Sequence, residues 1–559
     1  MITLASEPFH GFCSPKSFRV GGVDKNRWGM QKRVAINTMS ATNSRKQGIT
    51  CSSNDNVPDT ATLLSDPPRI PYNNTAPLVD ALRASALKDV ASFHFPGHNR
   101  GQAAPPSLSN ITGISTFIHD LPELPELDDL FSPKGVILEA QTKAAELFGA
   151  SQTWFLVGGS TCGVQASIMA TCSPGKTLVV PRNCHISAIS GLVLSGAIPK
   201  YVTPEYSSEW DMPGGITPCQ VEKSIKELEA EKKTVAAVLV TSPTYHGICS
   251  NISEIASVCH SYGIPVIVDE AHGAHFAFHS KFPCTSLQQG ADIVVQSTHK
   301  VLSSLTQSSM LHMSGNLVDR DAISRCLQTL QSTSPSYLLL ASLDAARAQL
   351  SENSETIFSE AMDLATEAKS SMGNINGISV LDPSCFSSVF PAIDPLRLTI
   401  GVSKLGISGF WAAEMLCEMH VVPELGGRQS VTFVVNLGTT RKHVQMLLSA
   451  VTRLSSVFYG HGSACSNKIS AISPFVDISL GLSPREAFFA KKMKVGIRES
   501  CGMISGELIS PYPPGIPVLV PGEVVNEAVL TYLQEMKRMG AVISGASDHE
   551  LSSLIVCDI

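Results

Sequence analysis

The sequence predicts an α/β protein. Its main body is a mostly parallel sheet, followed by a smaller α+β domain and a C-terminal α+β domain. Three observations carry this. Between Thr153 and Ser297 short apolar runs without polar alternation take turns with helical segments. Such runs are strands covered on both faces, as in a parallel sheet flanked by helices. The chain has 559 residues, more than one core organises. Its 43% hydrophobic and 16% charged composition suits large buried interiors.

The elements follow in order. "PLVDALRASALKDV" (Pro77–Val90) reads as a helix, and "FHFPGHNRGQAAPP" (Phe93–Pro106) as irregular. "HDLPELPELDDLFSPKG" (His119–Gly135) is acidic and proline-broken, hence a loop. "VILEAQTKAAELFGA" (Val136–Ala150) is a helix ending at Gly149. "TWFLV", "KTLVVP", "IPKYVTP", "VAAVLVTSP", "IPVIVDE" and "ADIVVQS" are strands. "CGVQASIMATC", "HISAISGLVLSG", "VEKSIKELEAEKK" and "SEIASVCHSYG" are helices between them. The pattern loosens near Pro383–Ser387. Strand–helix pairs then resume at "LRLTIGVSKLGISGFWAAEMLCEMHVVPEL" and "SVTFVVNLGTTRKHVQMLLSAVTRL". The expected domains are a leader at 1–55, a major domain at 56–385, a small domain at 386–455, a connector at 456–480 and a C-terminal domain at 481–559.

Composition excludes several functions. The net charge is -7, without the basic excess of a nucleic-acid binder. No apolar run is long enough to span a membrane. No two of the 15 cysteines lie within four residues of each other, so no metal-ligand pair is expected. Cys162, Cys172, Cys259 and Cys417 fall in apolar segments and are expected to be buried as small hydrophobes in a reducing compartment. The leader carries Lys16, Arg19, Lys25, Arg27, Lys32, Arg33, Arg45 and Lys46 against Glu7 and Asp24. That composition, rich in Ser and Thr, fits a transit peptide, with a plastid as the expected destination. Ser53 to Pro71 reads as a linker.

Ligands of parallel sheets bind at the carboxyl ends of the strands. "FLVGGSTCG" sets Gly158, Gly159, Ser160 and Thr161 between a strand and a helix. Glycines permit the turn, and the helix start offers free N–H groups to a phosphate. Taken alone, the hydroxyls read more simply as helix caps than as phosphate ligands. His185 opens the helix after the next strand. Asp269 ends a wholly apolar strand, where a carboxylate needs a partner. Lys300 follows another such strand in "IVVQSTHK". A phosphate cup, an imidazole, a lone carboxylate and a lysine together suit pyridoxal 5'-phosphate (PLP). The phosphate takes the helix start, the ring nitrogen takes the aspartate, and the aldehyde takes the lysine. The Asp269–Lys300 spacing reads as one strand–helix–strand step.

These residues resemble the Orn/Lys/Arg decarboxylases. The motifs are "STHK" with "QSSMLH", "VDEAHGAHF", "PGHNRG", "DLPEL…LDDLFSPKG" and "PYPPGIPVLVPGE". The resemblance runs in order from about Pro71 to Ile543. It implies a fold-type I PLP enzyme, related to aspartate aminotransferase, that decarboxylates a basic amino acid. Arginine is the expected substrate before lysine and ornithine. Lys300 looks like the Schiff-base lysine. Ser160, Thr161, Ser297 and His299 look like phosphate ligands, and Asp269 like the partner of the pyridine nitrogen. His272 matches a position that reaches the cofactor's phenolic oxygen, and His185 one stacked on the ring. Lys300 or His185 would return the proton to Cα. Glu507 and Glu523 are candidates for gripping the substrate's cationic end. Where most members carry a lysine-like base after "PGH", this chain has Asn99 and Arg100. The family implies a homodimer with shared sites, to which the segments around His98 and Glu123–Asp129 would contribute. The acidic run there would also attract a cation. An aminotransferase would instead need an arginine for the α-carboxylate, with Arg397 and Arg428 as candidates. A catalytically silent homologue would not need Lys300, Asp269 and His185 together.

Overall fold

A computed structural model describes residues 76–385, 390–460, 473–512 and 515–559. The leader, the linker before Pro71, much of the 456–480 connector and two prolines of "PYPPGIP" lie outside the described residues.

The central sheet has seven strands. They are β1 (Gln152–Leu156), β2 (Thr177–Pro181), β3 (Ile198–Val202), β4 (Val235–Thr241), β5 (Val266–Asp269), β6 (Ile293–Gln296) and β7 (Ser309–Met313). Their order is β1-β7-β6-β5-β4-β2-β3. Neighbours from β6 to β3 are parallel. β7 runs antiparallel to both β6 and β1. Two reversals restore direction, so β1, β2, β5 and β6 all end at one edge. The apolar runs are buried throughout in β2, β5 and β6, as expected for strands covered on both faces.

Helices α1 (Pro77–Ala86), α2 (Val136–Phe148), α3 (Gly159–Thr171), α4 (Ile186–Ser195), α5 (Pro218–Ala230) and α6 (Ile252–Ser261) account for the helical segments read from the sequence. α1 stops four residues short of the expected end, at Ala86 rather than Val90. α2 ends on Gly149 in the left-handed conformation, which a side chain would strain. The link from β5 to β6 holds no α-helix, contrary to the strand–helix–strand reading. Its helical element is a single 3₁₀ turn at Phe276–Phe278. Gly273, Pro283 and Gly290 break a longer helix, and His275, Phe276 and Phe282 pack edge-to-face instead.

A second sheet contains Ser379–Val380, Arg397–Gly401, Leu425–Gly426 and Ser430–Val434, all antiparallel. Helices Ser359–Gly373, Gly409–Glu418 and Arg441–Phe458 pack on it. One strand and one helix of this body precede residue 386. The last segment pairs Lys492–Gly496 with Ser553–Cys557 and Ser510–Tyr512 with Val542–Ser544, beside helix Glu527–Arg538. Cys162, Cys172 and Cys259 are buried, but Cys417 is exposed, because it falls on the solvent face of an amphipathic helix. No helix among the described residues is long and apolar enough to cross a membrane.

Candidate active site

The shared sheet edge gathers the residues singled out above. Lys300 lies in the helical turn Thr298–Val301, directly after β6. Its Nζ is 3.2 Å from Nε2 of His272, which follows β5. Burial pushes the lysine pKa down, with Arg397 adding to the effect and Asp269 and Glu424 opposing it. Asp269 is buried at the end of β5 and accepts the N–H of Ala271 at 3.2 Å. His185 caps α4: its Nδ1 accepts the N–H of Ser187 at 3.2 Å. The capping role therefore coexists with a place at the site, since Asp269 and Lys300 both act on its charge. Burial is the larger influence and holds His185 toward its neutral form.

The phosphate cup is also assembled. Ser297 donates to Ser160 across β7, Oγ to Oγ at 2.6 Å. Ser160 and Thr161 stand in the first turn of α3, whose leading N–H groups have no partners within the helix. Gly159 makes the entry at φ +74. His299 is half-buried beside Lys300, and burial lowers its pKa. An amine in reach of a neutral imidazole, a buried carboxylate at a strand end and hydroxyls at a helix start form a donor set that fits PLP.

Three residues escaped the sequence reading, and a fourth, Arg397, was given another role there. Tyr245 packs on His272, ring centroids 4.7 Å apart, with Lys300 Nζ 5.9 Å from its own centroid. It follows β4, so the strand-end rule that found the others also reaches it. Arg397 entered only as a candidate carboxylate binder; its Nη2 lies 3.0 Å from Nδ1 of His272. Glu424 is exposed in the small domain, and its charge acts on Lys300, Arg397 and Tyr245. Nothing local marks its approach. Glu270 is fully buried and accepts from Ser286 N, Ser286 Oγ and Gln296 Nε2 at 2.8, 2.6 and 2.7 Å.

Other candidates are held elsewhere. Glu523 takes Arg182 in two hydrogen bonds, 2.6 and 2.7 Å, with both side chains buried. Glu507 accepts Ser547 N at 2.8 Å and Ile555 N at 3.1 Å, as a loop carboxylate does. Neither carboxylate is free to grip a substrate in this chain. Arg428 pairs with Asp211 and Glu535, at 3.3 and 3.4 Å. In the acidic run, Asp128 accepts the N–H groups of Lys134, Gly135 and Ile137 and so caps α2. Glu126 pairs with Lys88 at 2.5 Å, and Asp129 accepts Phe131 N. Those three carboxylates therefore shape the loop. His98 accepts Gly101 N and meets Asp120 at 3.2 Å.

Comparison with known proteins bears on the same residues. The profile described as "Orn/Lys/Arg decarboxylase, major domain" matches residues 76–443, and the C-terminal domain profile matches 480–549. An arginine decarboxylase of Halalkalibacterium halodurans is 37% identical, covering 86% of this chain and 97% of its own. One from Bacillus subtilis is 34% identical over the same shares. The crystal structure of a Francisella novicida lysine decarboxylase superposes with a TM-score of 0.75 at 23% identity, covering 87% of this chain and 82% of its own. With both domains matched and the fold shared, the chain belongs to the Orn/Lys/Arg decarboxylase family of PLP-dependent amino-acid decarboxylases.

Proposed function

We propose that this basic amino-acid decarboxylase acts on L-arginine, releasing CO2 and agmatine, with PLP linked to Lys300. The observation that carries the reading is the meeting of Lys300, His272, Asp269 and the Ser160–Ser297 pair at one sheet edge. The arginine decarboxylases, 34–37% identical over 97% of their length, favour arginine. When bound, PLP withdraws electrons from the bond that breaks. The protein's own groups do the rest. Asp269 holds the proton on the ring nitrogen. Ser160, Thr161, Ser297 and His299 bind the phosphate with the start of α3. His185 lies against the ring face. Tyr245 and His272 wall the side facing the small domain. Lys300 or His185 returns a proton to Cα. Glu424, the exposed carboxylate whose charge reaches Lys300, suits the guanidinium end, which a carboxylate holds through two hydrogen bonds.

The working unit in this reading is a homodimer. Phe93, Phe95 and Ile111 are 98%, 82% and 81% exposed. The helices Pro106–Thr112 and Ile114–His119 bury no residue. An apolar stretch of this kind is what a second copy would cover.

The test supplies arginine, lysine and ornithine separately to the PLP-loaded protein and measures CO2 and amine. Agmatine from arginine supports the reading. Cadaverine or putrescine in its place moves the substrate. A keto acid without CO2 makes it an aminotransferase. Lys300→Ala should lose the visible absorbance of the bound cofactor and at least about 10³-fold in turnover. A band that survives the substitution refutes the lysine's role.

A further inference from the structure

His272 stands between two nitrogen groups. Nε2 is 3.2 Å from Lys300 Nζ, and Nδ1 is 3.0 Å from Arg397 Nη2. His272 and Arg397 are buried, Arg397 only 3% exposed, and Lys300 is half-buried beside them. A guanidinium has donors and no acceptor, and it keeps its proton in proteins. Nδ1 must therefore accept, and the ring's one proton sits on Nε2. That N–H points at Lys300. An ammonium there would set donor against donor, whereas a free amine offers its lone pair.

We propose that Arg397 is a positioning residue that locks His272 in the Nε2–H tautomer and thereby holds Lys300 as the free amine. This rests on the reading of Lys300 as the PLP lysine and deepens it. Transfer of the cofactor to and from that lysine needs the unprotonated amine. The same lock denies His272 a second proton, because Arg397 occupies the only other nitrogen. His272 is thus excluded as the acid that returns a proton to Cα.

The surroundings agree. Arg397 is backed by Asp394, whose Oδ2 is 3.8 Å from Nε, and Asp394 is held in turn by His275 at 3.1 Å. Tyr245 covers the imidazole. Around Lys300, Asp269 and Glu424 favour the ammonium, while Arg397 opposes it; burial is the largest influence and also opposes it. His185 and His299, both held toward neutrality by burial, complete the ring of titratable groups.

The experiment strips PLP from the full-length protein and follows its recombination with added PLP against pH. The rate rises as Lys300 loses its proton, so its midpoint reports the lysine pKa. Arg397→Met should move the midpoint up by about one unit or more, making recombination at neutral pH about tenfold slower. His272→Phe should do the same. The double variant should move no further than either single, because Arg397 acts through His272. Arg397→Lys keeps an obligate donor and should stay near the wild-type midpoint. Thermal unfolding checks each variant, and Arg397→Gln replaces Arg397→Met should the latter not fold. An unmoved midpoint in Arg397→Met overturns the proposal. So do additive shifts in the double variant, which would mean that Arg397 acts by its own charge. If PLP combines with the wild type but borohydride reduction leaves no pyridoxyl group on Lys300, the functional reading falls with it.

Discussion

Asp269 and Glu270 follow one another at the end of β5, and their carboxylates meet different partners. Asp269 acts on Lys300 and His185. Replacing it by alanine should leave some PLP binding but cost roughly 10²-fold or more in turnover, the scale of losing one preorganised electrostatic partner. Near-normal turnover in that variant would remove Asp269 from the chemistry. Glu270 joins a buried line of hydrogen bonds. Gln296 donates its amide to Glu270 and receives His312 Nε2 at 3.1 Å, while Thr153 meets His312 Nδ1 at 2.8 Å. Burial pushes Glu270 up to about 7. The folded chain thus holds this proton more tightly than the unfolded chain, whose glutamates titrate near ~4.3. Its stabilising share is full below that unfolded value and is lost as pH rises to about 7, by up to roughly 3 kcal/mol. Glu270→Gln should abolish this loss, because Gln296, His312 and Thr153 can all reverse their hydrogen bonds to suit an amide. Urea midpoints at pH 5.5 and 8 would differ in the wild type and converge in the variant. Asp269 was legible in the sequence as a lone charge after apolar residues. The acceptors around Glu270 were not, because Ser286, Gln296 and His312 are distant in sequence and ordinary in type.

At the scale of elements, the apolar runs of β2, β4, β5 and β6 were legible because both faces are covered. β7 was not. "SMLHM" carries a histidine and no mark of direction, and pairing direction is a property of the sheet. That strand matters, since it lies between β1 and β6, and Ser160 and Ser297 meet across its start. The tail motif was read as a family mark, and Glu523 as a substrate residue. Its geometry gives another use: Arg182, just after β2, enters the C-terminal segment and bonds Glu523 and the carbonyl of Pro517. Glu523→Gln would leave a guanidinium buried without its counter-charge, at a cost of about 3–5 kcal/mol. Arg182→Met with Glu523→Leu should recover most of this, and denaturant unfolding of the three proteins would measure it. Equal loss in the single and double variants would mean that shape, not charge, joins the segments.

For the whole molecule, the apolar stretch of Phe93, Phe95 and Ile111 is left exposed by the described residues. On the homodimer proposed above, replacing Phe93 and Phe95 by aspartate should yield a monomer, read by light scattering, with loss of activity if sites are shared. Full activity in a monomer would show that each chain is self-sufficient. The family resemblance led to the expectation that the segment around His98 contributes to a partner's site. The sequence could not separate the carboxylates that shape the loop from those free to attract a substrate, because helix capping by Asp128 depends on how the chain folds back.

The Arg182–Glu523 pair spans 341 residues. At ordinary synthesis rates of about 5–20 residues per second, the ribosome needs roughly 20 to 70 seconds between the two. During that interval β2 can take its place only with an unneutralised guanidinium beneath it. A nascent chain that lacks Glu523 therefore carries an unpaired guanidinium just after β2. The C-terminal segment thus supplies the counter-charge for a residue of the first half, and the strand end that leads to His185 gains its buried partner only when that segment is made.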